Sequence, residues 1–340
     1  MELKVKIRKK LSSFVLDADF ETDIPMALLG ASGSGKSMTL KCIAGIEKPD
    51  SGTIILNGRT LFDSDRRINL SPQKRNVGYL FQNYALFPNM TVRKNIEVGI
   101  KRKDYDAGAI IKDFYLEDVE NKYPHEISGG QQQRTALARI IASQPDILLL
   151  DEPFSAIDTH LRWQLEMTTS DIIKKFGSLY LMVTHDRGEA YRNCGNICII
   201  DNGKTEGVVD RETFIKKPSS VGAARILGIR NIFEFKNVDK EGNIFVPQLN
   251  TVLKISGSAE NYKYIGIREQ LIDFNGNENK IDCVVERVIY DIFSTIIILR
   301  PVNGGNGILR VEVKGDILPE LYTGKCLSIN IRPENILLLK

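Results

Sequence analysis

Long apolar runs are missing from this chain of 340 residues. No stretch approaches the roughly 18 consecutive apolar residues needed to cross a bilayer, so no membrane span is expected. Nor does the opening Met1-Glu2-Leu3 begin a secretory leader. Excess charge is missing too: the formal net charge is only +3, which excludes a large basic field and with it a nucleic-acid partner. Cysteine is scarce, at five residues. Cys42, Cys194, Cys198, Cys283 and Cys326 form no C-x-x-C pair, and the closest two have no histidine beside them in sequence. That excludes a zinc site and a disulfide framework, leaving small core residues in a reducing compartment. A cytosolic protein is expected.

What is present is a set of short motifs. The apolar strand Pro25-Met26-Ala27-Leu28-Leu29 runs into Gly30-Ala31-Ser32-Gly33-Ser34-Gly35-Lys36-Ser37, which fills every position of the G-x-x-x-x-G-K-[ST] loop. Gly30, Gly33 and Gly35 permit backbone angles closed to other residues, so successive N–H groups can point at phosphate oxygens. Met38, Leu40, Ile43 and Ala44 mark a helix leaving the loop, and its N-terminus adds partial positive charge to the same place. Gly30 to Met38 are therefore the expected ATP-binding residues. Lys36 is expected at the β- and γ-phosphates, and the Ser37 hydroxyl on Mg²⁺.

Three further features follow downstream. Ile127-Ser128-Gly129-Gly130-Gln131 precedes a helical pattern, so Ser128, Gly129, Gly130 and Gln131 sit at a helix N-terminus, a second anion site. The apolar run Ile147 to Leu150 ends in Asp151-Glu152. Asp151 suits a metal ligand, and Glu152, pointing to the opposite face of the strand, can polarise an attacking water. Tyr79-Leu80-Phe81-Gln82 reads as a strand ending in an amide that can bind Mg²⁺. Read alone, Gln82 is an ordinary polar loop residue. His185 closes the run Leu179 to Thr184; alone it reads as structural, or as a hydrogen-bond donor to a γ-phosphate.

Organisation along the chain is legible. Residues 3–20 and 53–56 read as strands beside a central sheet, 91–126 as helical and polar, and about Thr159 to Phe176 as a long helix. Ile147 to Leu150 and Leu179 to Thr184 read as parallel strands buried on both faces. After about Ala224 short β-rich runs alternate with turn signals at Ser256-Gly257, Asn275-Gly276 and Gly304-Gly305-Asn306-Gly307, as in an all-β domain. Ile265-Gly266-Ile267-Arg268 is echoed by Ile329-Asn330-Ile331-Arg332, and two unrelated edge strands are the expected explanation.

Taken together, the loop Gly30–Ser37, Gln82, Ile127–Gln131 with Gln132-Gln133-Arg134, Asp151-Glu152, Ser155-Ala156-Ile157-Asp158 and His185 resemble the ATP-binding subunits of ABC transporters over residues 1–228. The resemblance implies an α/β P-loop nucleotide-binding domain, a mixed sheet core plus a helical subdomain at about 88–135. A small all-β domain similar to TOBE/MOP regulatory domains follows over 229–340. It implies Glu152 as general base, His185 as γ-phosphate sensor, Gln82 beside the metal and Asp158 against a partner's site. One loop and one signature per chain imply a second copy of itself, placed head-to-tail so that two ATPs are sandwiched. The chain would sit peripherally on the cytoplasmic face of the membrane. A separate permease would dock near Gln82 and residues 84–100, on an exposed patch of Tyr84, Leu86, Phe87 and Pro88, and a solute-binding protein would act indirectly. Phe14 is the aromatic candidate beside the adenine. The stretch Ile68–Tyr79 and the segment 91–126 most resemble molybdate-importer subunits, with sulfate, sugar, iron and polyamine import as alternatives. A non-transport ABC ATPase would carry coiled-coil insertions or two cassettes, and a P-loop kinase or GTPase would leave Ile127–Gln131 without a role.

Overall fold

The computed structural model describes residues 1–101, 106–154, 159–177, 179–237, 243–314 and 321–340. Asp158, with the rest of Ser155–Asp158, lies outside the described residues. The chain divides into two compact units, Met1–Arg211 and Glu212–Lys340.

The first unit is built on one mixed sheet. Its strands, in chain order, are β1 (Leu3–Lys10), β2 (Val15–Thr22), β3 (Met26–Leu29), β4 (Ser51–Leu56), β5 (Arg59–Asp63), β6 (Ile68–Asn69), β7 (Val77–Leu80), β8 (Ile147–Asp151), β9 (Leu179–Thr184), β10 (Asn196–Asp201) and β11 (Lys204–Asp210). Their spatial order is β6-β5-β4-β1-β2-β11-β10-β3-β9-β8-β7. From β10 to β7 the neighbours run parallel, and β3, β8 and β9 are buried at every position. Apolar side chains on both faces are what a strand covered on both sides needs. On the antiparallel side the pattern alternates. Leu3, Val5 and Ile7 are buried, while Lys4, Lys6 and Arg8 stand opposite Glu21, Asp19 and Asp17. Those pairs approach to 2.9, 3.4 and 3.7 Å, a cross-strand charge ladder that opposes a one-residue slip of register.

Seven helices of this unit are described: α1 (Lys36–Ala44), α2 (Pro72–Arg75), α3 (Val92–Glu97), α4 (Ala107–Asp113), α5 (Gly129–Ala142), α6 (Thr159–Lys175) and α7 (Arg187–Asn193). The end of α1 is held by a buried guanidinium. Arg75 donates from Nη1 to the carbonyls of Cys42 and Ile43, each at 2.8 Å, and from Nε to that of Leu70. Gly45 is required beside it, since its φ is +79° and a Cβ there would lie 2.5 Å from Arg75 Nε. Thus α1 is anchored at the end opposite the phosphate loop.

The second unit begins earlier than the β-rich sequence: α8 (Arg211–Lys216) and α9 (Val221–Ile226) precede its first strand, and Ala224 of α9 packs with Ile229 and Leu339. The strands are β12 (Asn231–Glu234), β13 (Lys236–Asn237), β14 (Asn243–Val246), β15 (Thr251–Lys254), β16 (Tyr264–Ile267), β17 (Ile272–Asp273), β18 (Ile281–Tyr290), β19 (Ser294–Pro301), β20 (Leu309–Lys314), β21 (Cys326–Ile331) and β22 (Ile336–Leu339). They form the sheets β12-β16-β22, β13-β14-β15 and β17-β21-β18-β19-β20.

The echoed Ile-x-Ile-Arg segments are not unrelated edge strands. They lie in β16 and β21, each flanked on both sides by a neighbour. Each arginine is followed by a short 3₁₀ turn, Glu269–Leu271 or Pro333–Asn335, and then by a strand, β17 or β22. The two arms pair crosswise: β16 with β22, and β17 with β21. This is a two-arm repeat, hidden in sequence because only the inward-facing isoleucines and the turn must match.

Candidate functional site

The parallel strands set the site through their register. Leu29 lies level with Thr184, Val183 with Asp151, and Leu150 with Leu80. The segments that leave those positions therefore share one edge of the sheet: the loop Gly30–Gly35, the pair Asp151-Glu152, His185, and Phe81-Gln82. Ligands of parallel α/β sheets bind at such carboxyl ends, because there the polar backbone emerges from the apolar layer.

The loop is built as a cradle. Gly33 and Gly35 take φ of 81° and 106°. A Cβ on Gly30 would lie 2.3 Å from the carbonyl oxygen of Ile200, and one on Gly35 would lie 2.9 Å from Leu16 Cδ1. Ala31, Ser32 and Gly33 form an exposed crown. Lys36 is buried, and its Nζ donates to the carbonyls of Gly30 at 2.8 Å and Ala31 at 2.9 Å. Burial pushes this ammonium below its ordinary pKa, against the pull of Glu152 and Asp151. The Ser34 hydroxyl is buried with no hydrogen-bond partner among the described residues, an orphan group inside the cradle. Met38, in the first turn of α1, is half-buried against the core.

Asp151 is 8% exposed and holds two hydroxyls. Its Oδ1 accepts from Ser37 Oγ at 2.7 Å and its Oδ2 from the Tyr79 hydroxyl at 2.8 Å. Burial, and then the Asp151 charge, raise the Tyr79 phenol well above its ordinary pKa, so it stays a donor. Ser37 and Asp151 are hard oxygen donors, the set that suits Mg²⁺ alongside phosphate oxygens. Together with the glycine cradle and the orphan Ser34 hydroxyl, they fit a metal–triphosphate.

Glu152 departs from the expected geometry. It does not continue the strand to the opposite face: β8 ends at Asp151, and Glu152 has φ +46°, a left-handed conformation rare for a side chain of this size. Its N–H still donates to the Val183 carbonyl at 3.0 Å. The turn brings its Oε1 to 3.4 Å from His185 Nδ1, so carboxylate and imidazole meet at the sheet edge. His185 itself directly precedes Asp186, whose side chain caps α7 by accepting from Gly188 and Glu189 N–H.

Gln82 is exposed, two residues beyond β7. The neighbouring patch is only partly as expected. Tyr84 is buried, 7% exposed, and φ values of 59° and 43° at Tyr84 and Ala85 turn that ring inward. The outward apolar side chains are Phe81, Phe87 and Val98, while Leu86 is half-buried and Pro88 exposed. Fully buried Asn95 ties the turn together by accepting from the Phe87 N–H and donating to the Phe87, Met90 and Thr91 carbonyls. Arg139 of α5 adds a bond to the Tyr84 carbonyl and lies 5.0 Å from the Phe87 ring centroid.

Ser128 is the N-cap of α5, in a reciprocal box: its Oγ accepts from Gln131 N–H and Gln131 Oε1 accepts from Ser128 N–H at 2.9 Å. Ser128 and Gly129 are exposed, and among the described residues nothing lies within 4 Å of a Cβ placed on Gly129. Helix α5 packs on α3, α4 and β7, whereas α1 packs on β7, β8 and β9. Phe14 lies beside the loop, a Cβ on Gly35 coming within 3.4 Å of its ring. Sequence reading missed Tyr79 and Arg75: Tyr79 meets Asp151 only through the β7–β8 register, and nothing local marked Arg75.

A model of the family described as ABC transporter matches residues 15–155. The sulfate/thiosulfate import ATP-binding protein of Mesostigma viride is 33% identical over 298 residues, covering 84% of this chain and 82% of its own length. The chain belongs to the ABC transporter ATP-binding family. A second protein of the same description, from Synechocystis, is 38% identical over 66% of this chain, and the chain spans 65% of its length. A dimeric ATP-binding cassette solved in a post-hydrolysis state with ADP and Pi is 26% identical, with a TM-score of 0.51, and covers 62% of this chain and 99% of its own. This ABC protein binds ATP with Mg²⁺, and its first unit is the cassette. No helix among its described residues is long and apolar enough to cross a membrane.

Proposed function

We propose that this chain is the ATP-hydrolysing subunit of an importer, working as a head-to-tail homodimer beneath a separate permease on the cytoplasmic face of the membrane. The observation that carries this reading is the placement of Glu152. A left-handed turn swings its carboxylate off β8 to within 3.4 Å of His185, at the edge from which the glycine loop issues. Glu152 is then the base that takes a proton from the attacking water, and His185 orients it against the γ-phosphate. Lys36 supplies positive charge, and the N–H groups of Gly30–Met38 hold the phosphates. Ser37 and Asp151, with Gln82, would hold Mg²⁺, which when bound neutralises charge on the β- and γ-phosphate oxygens. Phe14 offers a ring for the adenine.

Ser128–Gln131 begin α5 with Ser128 and Gly129 exposed, which suits an anion held by another molecule. In this reading they complete the second copy's site, and the dimeric state of the related cassette supports it. Closure on ATP and reopening after hydrolysis then drive the permease, docked at Gln82, Phe81, Phe87 and α3. The β unit is read as a TOBE/MOP-like regulatory domain. For the solute we propose an oxyanion, molybdate or sulfate. Relatives named for sulfate and thiosulfate import support an anion, and those named for putrescine transport and Fe(3+) import define the competing outcomes.

The test is Glu152→Gln, which removes the base but keeps size and one acceptor. ATP turnover falls on the order of 10²–10⁴-fold while binding persists. Size-exclusion chromatography with Mg-ATP then shows a monomer-to-dimer shift. Turnover at the wild-type rate overturns the assignment. Uptake of labelled molybdate and sulfate by vesicles carrying the whole transporter, competed with putrescine and Fe(3+), tests the solute.

A further inference from the structure

Tyr79 lies in the strand that leads to Gln82 and has no role of its own in the sequence reading, yet it holds one of the two oxygens of Asp151. In the parallel β7–β8 pair Tyr79 stands opposite Leu149, so Asp151 lies two residues along on the same face. That diagonal is within reach of an aromatic side chain. The hydroxyl donates to Oδ2 at 2.8 Å, while Oδ1 faces Ser37 Oγ at 2.7 Å. The ring is fixed from its other side by Phe81, centroid to centroid 4.5 Å, immediately before Gln82.

We propose that Tyr79 is a positioning residue that sets the Mg²⁺ affinity of the nucleotide site by locking the rotation of the Asp151 carboxylate. The proposal rests on the reading of Ser37 and Asp151 as metal ligands. A carboxylate turns readily about its last bond, and each turn exchanges the oxygen presented to Ser37. A donor on Oδ2 stops that exchange and keeps Oδ1 on the side of Ser37. The donor's neutrality matters: a lysine or arginine in the same place would cancel the charge that attracts the cation. The phenol satisfies a buried oxygen and leaves the full negative charge for the metal. Groups that hold a metal ligand from behind in this way typically govern affinity by 10–100-fold.

The experiment uses the full-length chain and Tyr79→Phe, which removes one oxygen and keeps the ring against Phe81. Binding of a fluorescent ATP analogue is measured in EDTA and across a Mg²⁺ titration. The expected result is a Mg²⁺ midpoint raised roughly tenfold, with affinity in EDTA unchanged. In turnover assays the apparent KM for Mg²⁺ rises, and kcat recovers at saturating metal. Tyr79→Leu, which also loses the ring, shows the same midpoint shift. An unchanged midpoint in Tyr79→Phe overturns the proposal, as does equal weakening with and without metal, which marks a merely structural role. If the wild type and Asp151→Asn bind nucleotide with the same Mg²⁺ dependence, the metal-ligand reading itself falls, and the proposal with it.

Discussion

The cassette and the β unit solve burial in opposite ways, and the difference explains why one carries motifs and the other does not. In the cassette β3, β8 and β9 are apolar on both faces, so polar chemistry can leave the layer only at strand ends. Gly30, Asp151, Glu152 and His185 crowd there, each within a few residues of an unbroken apolar run. The β unit is antiparallel wherever its described strands pair, and its longer strands alternate. In β18, Ile281, Cys283 and Val285 point inward and Asp282 outward. Polar residues are spread along its faces. Its information lies in packing, as the crosswise pairing of β16–β22 with β17–β21 shows.

The contrast is broken most severely if the cassette's motifs prove dispensable. Ser128→Arg puts a bulky cation at the exposed start of α5. Turnover should fall on the order of 10²–10³-fold, the scale of losing one electrostatic donor set, while a nucleotide filter assay shows unchanged ATP binding. Mixed with Lys36→Ala chains it should stay well below wild type, since each mixed dimer keeps at most one intact composite site. Full activity of the single mutant would remove Ser128–Gln131 from the site.

A matched pair of cavities sharpens the comparison. Leu149 in β8 and Leu299 in β19 are both fully buried. Truncation to alanine should cost about 2–5 kcal/mol in either place. In denaturant unfolding, Leu149→Ala should lower the transition that tracks nucleotide binding. Leu299→Ala should lower a second transition and leave turnover intact. One shared transition, moved equally by both, would mean that the units do not unfold separately.

The smallest effect is chemical. Cys42, Cys194 and Cys198 in the cassette and Cys283 in the β unit are buried, whereas Cys326 is exposed. Burial pushes the Cys42, Cys198 and Cys283 thiols up to about 12. Native chain treated with iodoacetamide near neutrality should therefore gain one label, on Cys326, read by mass spectrometry. All five should react in denaturant. Because the folded thiols ionise above the ordinary value of 9.0, stability is complete below that pH and falls as pH rises toward 12. Rapid labelling of Cys42 or Cys198 at neutral pH would show that the cassette core opens.

Much of the cassette was legible because its motifs are local. A glycine loop needs its glycines at fixed spacing, and a buried parallel strand needs continuous apolar residues; both conditions can be read along the chain. The helix start at Ser128–Gln131 was likewise readable from neighbouring residues. The apolar patch after Gln82 misled, because hydrophobicity alone does not say which way a ring turns. Left-handed Tyr84 and Ala85 bury one ring, and Phe87 is left outside beneath Arg139.

The amino-acid sequence by itself determined the family, the order of the two units and the candidate residues for a metal-bound triphosphate, since these depend on residue type at short range. Only the tertiary structure decided that Glu152 leaves the strand with a positive φ to meet His185, that Arg75 anchors α1, and that Tyr79 shares Asp151 with Ser37. Those relations join strands through register and burial, and register is a property of the assembled sheet.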